Sequence, residues 1–269
     1  MSVSHGGTLV YGRCMYTHGH HETVLRSHRW RTAENSCGYL LPHLRGDERL
    51  LDVGCGPATI TADLATRVAS VLGLEATEQA VALAREAGVD CVLGDVHALD
   101  LPDDSFDVVH AHQVLQHVAD PVQALREMAR VCKPGGIVAV RDSDYLGFTW
   151  FPSCRGLDRW MELYQAAATA NGGEPQAGRR LLSWALEAGL TDVTPSSSTW
   201  CFATPADRAW WGGMWAERIQ QSALATQLLT SGLATQADLD LVTAGWQMFV
   251  DRDEAWLSVL HGELIVRVG

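Results

Sequence analysis

Arg49-Leu50-Leu51-Asp52-Val53-Gly54-Cys55-Gly56-Pro57-Ala58-Thr59 opens as a short run of apolar, strand-forming residues that Gly54 and Gly56 then interrupt. Ile60, Leu64, Ala65 and Val68 come next, three or four residues apart for the most part, which marks the apolar face of a helix. Strand, glycine turn and helix are how a nucleotide-binding βαβ unit begins. In such a unit the glycines let the backbone approach a ligand lying across the carboxyl end of the sheet. A tight turn that binds nothing uses the same residues, so the stretch needs support from segments further along the chain.

That support comes in order. Val68 to Leu74 is expected as a second strand ending in Glu75, whose carboxylate can accept hydrogen bonds from both ribose hydroxyls of an adenosine ligand. The apolar run from Val89 to Leu93 leads into Gly94-Asp95-Val96 and sets a second carboxylate on the same sheet edge, suited to the exocyclic amine of adenine. Phe106 to Ala111 is the expected fourth strand. Ile137 to Val140 is the fifth, after Lys133-Pro134-Gly135-Gly136. Helices are expected over Thr77 to Ala87 and Pro121 to Val131, each with an apolar stripe to cover a sheet face.

With these segments in place the chain resembles the class I S-adenosylmethionine-dependent methyltransferases, and most nearly their ubiquinone/menaquinone-type small-molecule branch. The likeness is carried by LLDVGCGPAT (50–59), GLEAT (73–77), GDVHALDLPDDSFDVVHAHQVLQHVADP (94–121) and VCKPGGIVAVRD (131–142), and covers roughly residues 20 to 145. It implies an α/β fold: a Rossmann-like seven-stranded mostly parallel sheet with helices on both faces. It also implies S-adenosyl-L-methionine as cofactor and S-adenosyl-L-homocysteine as product, held by Gly54, Cys55, Gly56, Glu75, Ala76, Asp95 and Val96. In similar enzymes the backbone at the positions of His112 and Gln113 holds the methionine part, and an N-terminal aromatic and a basic residue sit near its carboxylate. Tyr16 and Arg31 are the candidates for that pair. Arg31 has an alternative, an ion pair with Glu34 or Glu22 on a solvated face. The family usually has a third glycine where this chain has Ala58, a methyl group that narrows the turn without removing a polar contact.

A dinucleotide is the rival cofactor. Pyrophosphate binding needs several backbone N–H donors at a helix N-terminus. Pro57 removes one of them, and Thr59 stands where G-x-G-x-x-G has its last glycine. Asp52 adds a negative charge that repels phosphate and suits a sulfonium and an ammonium.

The 269 residues suffice for one sheet-based domain with additions, and 47% of them are hydrophobic, enough to build a core. No run is long and charge-free enough to span a bilayer, and no basic segment precedes an apolar one at the N-terminus, so no membrane partner and a cytoplasmic location are expected. Seven scattered cysteines with no C-x-x-C pair fit reduced thiols, with no metal site expected. A formal net charge of −12 argues against nucleic acid as a partner, because phosphates call for a basic surface.

Residues 1–44 are expected as an N-terminal segment that covers the cofactor, with a helix from about Thr23 to Leu44. The remainder, 45–269, is the methyltransferase domain with helical cap insertions at about 146–175 and 205–258. In the cap region Leu157 to Ala170 is amphipathic, Gly178 to Ala188 is the helix before a strand near Val193 to Phe202, and His261 to Val268 is a returning antiparallel strand. Nine of the ten tryptophans lie beyond Tyr145. Most of them should build the cap's own core and a few should face an organic acceptor. Arg141 and Asp144, at the ligand edge, either contact substrate or form internal salt bridges.

The expected reaction is in-line transfer of the sulfonium methyl to an O, N or C atom of a small metabolite, driven largely by alignment and exclusion of water. His18 or His117 is a general-base candidate if the acceptor must lose a proton, although His117 can equally be a helix-capping imidazole. His18, His20 and His21 are too close together to share a helical face, which disfavours a metal. A nicotinamide-dinucleotide-dependent reductase, and a cofactor-binding protein of the same fold with non-methylating activity, stay open as alternatives. So does a homodimer.

Overall fold

The computed structural model describes residues 27–269. Its centre is an eight-stranded sheet built from β1 (Arg49–Val53), β2 (Ser70–Glu75), β3 (Cys91–Leu93), β4 (Phe106–His112), β5 (Cys132–Ser143), β6 (Thr149–Phe151), β7 (Val193–Phe202) and β8 (Trp256–Arg267). The order is β3-β2-β1-β4-β5-β8-β6, with β7 also pairing with β8. The first five strands are mutually parallel, and β8 runs antiparallel to β5, β6 and β7. β1 and β4 are buried along nearly their whole length, as central strands covered on both faces must be, which explains why Leu50, Leu51 and Val53 in one and Phe106, Val108, Val109 and Ala111 in the other are apolar.

Helices cover both faces. On one, α1 (Ala33–Cys37), the turn after it and α2 (Thr59–Leu64) pack Ala33, Leu40 and Leu64 against Leu50 and Val108. Beside them α3 (Glu78–Glu86) lays Val81 and Ala84 on Cys91. On the other face α4 (Pro121–Val131) turns Leu125 and Met128 inward, next to α6 (Ala177–Glu187) with Leu181 and Ala185. Local chemistry sets these boundaries. Asp120 caps α4 by accepting from Gln123 N at 2.9 Å, and Pro121 occupies the first turn, where a missing N–H costs nothing.

The cap consists of α5 (Arg155–Ala170), α7 (Pro205–Gln221), α8 (Ala223–Thr230) and α9 (Gln236–Asp251). Reciprocal side-chain caps, Thr204 with Asp207 and Thr235 with Asp238, begin α7 and α9. Trp160, Trp215 and Trp246 are fully buried where these helices meet, with the Trp160 ring edge-on to the other two at 4.9 and 4.8 Å.

Several expected boundaries change. The long helix to Leu44 is broken among the described residues, because Thr32 begins a new helix with its own capping box, Gly38 ends it, and Pro42 opens a separate short turn. Strand β5 starts at Cys132, so Lys133-Pro134-Gly135-Gly136 is an irregular strand segment rather than a preceding turn. Gly135 there has φ +78° and its N–H reaches Val268 O. An eighth strand, β6, occupies part of the first insertion, and the last strand begins at Trp256 instead of His261.

Candidate active site

One cavity of about 1160 Å³ runs along the carboxyl ends of the parallel strands and under the cap. The turn after β1 forms part of its wall. Gly54 and Gly56 have φ of +67° and +57°, a region where a side chain is strained, and a Cβ on Gly54 would overlap the Val114 side chain. Gly56 N donates to Glu75 Oε1 at 2.7 Å and Ala76 N donates to Oε2 at 2.9 Å, so the turn and the tip of β2 fix the carboxylate between them. A carboxylate has about four lone-pair sites, enough for more than these two bonds. Cys55 also lines the cavity, with its Sγ 3.6 Å from Cys91 Sγ; burial pushes its thiol pKa up.

Beyond β3, Asp95 and Val96 reach the same cavity. Asp95 Oδ1 accepts from His97 N at 2.9 Å and from His97 Nδ1 at 2.6 Å. Partial burial works the other way, yet these bonds hold the Asp95 carboxyl below its ordinary range.

On the cavity floor Asp52 is buried, accepting from Thr61 Oγ1 at 2.6 Å and from His110 Nδ1 at 2.7 Å. Burial alone would lower the His110 pKa. Its neighbour Cys37, 3.2 Å from Nε2, and the Asp52 carboxylate outweigh burial and raise it to about 10. The buried carboxylate of Asp52 is therefore held between the Thr61 hydroxyl and an imidazole that keeps its proton more readily than usual.

Where β4 ends, Gln113 takes φ +56°, rare for a residue with a side chain and found mainly where surrounding bonds over-determine the backbone. Its Nε2 donates to Ser143 Oγ at 2.8 Å and to His261 Nε2 at 3.0 Å, and its Oε1 accepts from Arg31 Nη2 at 2.7 Å. Arg31 thus faces the cavity; of its two expected surface partners, Glu34 pairs with Arg67 and Glu22 lies outside the described residues. His117 also lines the cavity, but its Nε2 meets Gln116 Nε2 at 2.9 Å. Burial, then Arg31, push its pKa down to about 4. Arg141 and Asp144 take the salt-bridge alternative, with Glu263 at 3.1 Å and with Arg179 at 2.6 Å. Tyr16 and His18 lie outside the described residues.

At the cap end the lining changes to Tyr145, Phe148, Trp200, Trp211, Trp215 and Arg218. Trp200, Trp211 and Trp215 thus reach the cavity, while Trp160 and Trp246 build the cap's core. The sequence reading missed Arg218. It sits on the stripe Trp211, Met214, Trp215, Arg218, Ile219, where a charge among apolar positions was the available signal. Its guanidinium stacks on Trp215 at 4.7 Å, and Nη2 donates to Ser27 Oγ at 3.2 Å. Among the described residues no group of three or more His, Cys, Asp or Glu side chains could hold a metal ion. No described helix is long and apolar enough to cross a membrane.

A family model for a methyltransferase domain matches residues 51–140, the span from β1 to β5. An uncharacterized methyltransferase of Schizosaccharomyces pombe is 32% identical over an alignment covering 94% of this chain and 96% of that protein. The chain belongs to the class I methyltransferase family. Among solved structures, the methyltransferase superposes on the YcgJ protein of Bacillus subtilis with a TM-score of 0.58 at 18% identity, covering 88% of this chain and 99% of that one. It also superposes on a phosphoethanolamine N-methyltransferase of Haemonchus contortus solved with phosphomonomethylethanolamine and S-adenosylhomocysteine. The TM-score there is 0.51 at 20% identity, covering 84% of this chain and 50% of that one. At these identities the two structures speak for the methyltransferase's fold alone.

Proposed function

We propose that this methyltransferase uses S-adenosyl-L-methionine to methylate an O, N or C atom of a small, apolar or aromatic metabolite. The observation that carries the reading is a single cavity with two chemically different ends: carboxylates and a bare glycine turn along the sheet, and an aromatic enclosure under the cap. Its volume, about 1160 Å³, exceeds what one drug-sized ligand fills, so there is room for a cofactor and an acceptor together.

The residues present fit the cofactor. Glu75 supplies acceptors for two ribose hydroxyls, Asp95 an acceptor for the adenine amine, and Ala76 and Val96 apolar contact on the base. Gly54, Cys55 and Gly56 give close backbone approach, while Arg31 and the backbone of His112 and Gln113 serve the methionine part. When bound, S-adenosylmethionine supplies a methyl group already activated on a sulfonium. What remains for the protein is alignment and dryness: the cap excludes water, and Gln113, fixed by three side chains, holds the junction between the two ends rigid. Residues 27–44, the described part of the N-terminal segment, act as a cover over the cofactor, and the segments 146–175 and 205–258 as the roof of the acceptor pocket. The motifs favour the ubiquinone/menaquinone-type small-molecule branch. With a formal net charge of −12 the enzyme acts on metabolites rather than nucleic acid, and in the cytoplasm.

The test is incubation with methyl-labelled S-adenosylmethionine and a cell extract fractionated by size. Label should enter small organic-soluble products. Label found only in nucleic acid or protein, or tight cofactor binding with no labelled product, would overturn the reading.

A further inference from the structure

Buried polar atoms that the fold leaves without partners call for an account, because burying an imidazole with neither nitrogen satisfied costs free energy. His112 is such a group. It lines the cavity at the carboxyl end of β4, is 6% exposed, and neither Nδ1 nor Nε2 has a hydrogen-bond partner among the described residues. Its ring lies 5.8 Å from that of Trp200 and 6.3 Å from that of His261, below the aromatic end of the cavity. We propose that the methyl acceptor is a hydroxyl-bearing aromatic molecule seated under the tryptophan cap, and that the imidazole of His112 takes its proton. This deepens, and rests on, the methyltransferase reading above.

Three features select this class. A flat ring suits the enclosure formed by Tyr145, Phe148, Trp200 and Trp211. Burial, then Arg141, Arg31, His261 and His110, hold the His112 pKa well below its ordinary value, so the ring is neutral and offers a lone pair to an O–H. The Arg218 guanidinium lines this end, and Arg31, assigned above to the methionine part, stands beside it 5.7 Å from the Trp200 ring, whereas the carboxylates among the described lining residues (Asp52, Glu75, Asp95 and Asp120) lie along the strand ends and the loop beside them. A protonated amine is repelled there, while an oxygen gaining negative charge is stabilised.

The step balances without a further reagent. The acceptor oxygen forms its bond to the methyl carbon as the carbon–sulfur bond breaks, with that electron pair passing to sulfur. The hydroxyl proton moves to His112 and leaves to water when the product departs. Positive charge is lost at sulfur as it appears on the imidazole, so the closed cavity keeps its net charge. As the oxygen–carbon bond forms, the O–H becomes strongly acidic, so a weakly basic imidazole suffices to take the proton.

The experiment uses the full chain, with S-adenosylhomocysteine binding as the control that separates the two readings. If wild type fails to bind it, the methyltransferase reading falls. If it binds, umbelliferone, naphthol and catechol are titrated against tryptamine by fluorescence and calorimetry on the protein saturated with S-adenosylhomocysteine. Wild type should bind at least one phenol and discriminate against tryptamine. For the phenol that binds, His112→Phe should weaken binding by about tenfold, because no acceptor remains for the buried hydroxyl. In His112→Gln the amide oxygen accepts the hydroxyl but cannot carry its proton. That variant should retain phenol and S-adenosylhomocysteine affinity while label transfer to the phenol falls by on the order of a hundredfold or more. Wild type that binds S-adenosylhomocysteine but none of the phenols, that prefers tryptamine, or that transfers methyl no faster than His112→Gln, overturns the proposal.

Discussion

Ala58 holds φ 60° and ψ 24° with its methyl buried against α3, at a position where similar enzymes usually have glycine. Left-handed backbone costs an L-residue about 1–2 kcal/mol. The buried methyl returns about 0.8 kcal/mol, and alanine has less chain entropy to lose than glycine. We therefore expect Ala58→Gly to change unfolding free energy in urea by less than about 1 kcal/mol, because these contributions nearly cancel. A second single-residue effect comes from His110. Its pKa of about 10 in the folded protein lies above the ordinary 6.5, so the stability it contributes is complete below pH 6.5 and is lost as pH rises toward 10. Thermal midpoints measured from pH 7 to pH 10 should fall through this window in wild type. In His110→Asn, which can still donate to Asp52 but cannot titrate, the midpoint should be lower at pH 7 and flatter over the window. Equal slopes would remove His110 from the account. Ala58 stood out in the sequence by its place in the turn, whereas the His110 effect was not legible, because Asp52, His110 and Cys37 meet only when β1, β4 and α1 pack together.

Periodic, capped segments were legible almost to the residue. Pro121–Val131 and Val193–Phe202 have the limits expected of them, since Asp120 and Pro121 mark one start and the glycine-flanked polar loop before Val193 the other. The N-terminal helix failed because Thr32, Gly38 and Pro42 each break a helix locally, and an apolar stripe that ran past them outweighed those signals. Strand β6 has only three residues and takes its register from β8, so no local pattern could announce it. Within the cap, α5 and α9 cross at Gly156 and Gly245, where a Cβ on Gly245 would lie 2.8 Å from Gly156 Cα. Gly245→Val should cost about 1–3 kcal/mol through overpacking. Hydrogen exchange should then quicken in Gln236–Asp251 and Arg155–Ala170 while the parallel strands keep their protection. Uniform loss of protection would show instead that cap and sheet unfold as one unit.

Over the molecule as a whole, the order of strands was readable because each motif names its own strand end: Gly54 to Gly56 after the first, Glu75 after the second, Asp95 after the third. All of these residues line one cavity. A tryptophan-bearing cap was readable, but the meeting of Arg218, Trp200 and Tyr145 at one end of the cavity was not, since they come from distant segments that only the cap assembles. Calorimetric titration with S-adenosylhomocysteine and with NADH, on wild type and on Glu75→Ala, tests the placement of the cofactor most directly. The account predicts that wild type binds S-adenosylhomocysteine in preference to NADH, and that Glu75→Ala weakens that binding by on the order of 2 kcal/mol, roughly thirtyfold. Tighter binding of NADH, or an affinity for S-adenosylhomocysteine unchanged in Glu75→Ala, would contradict it.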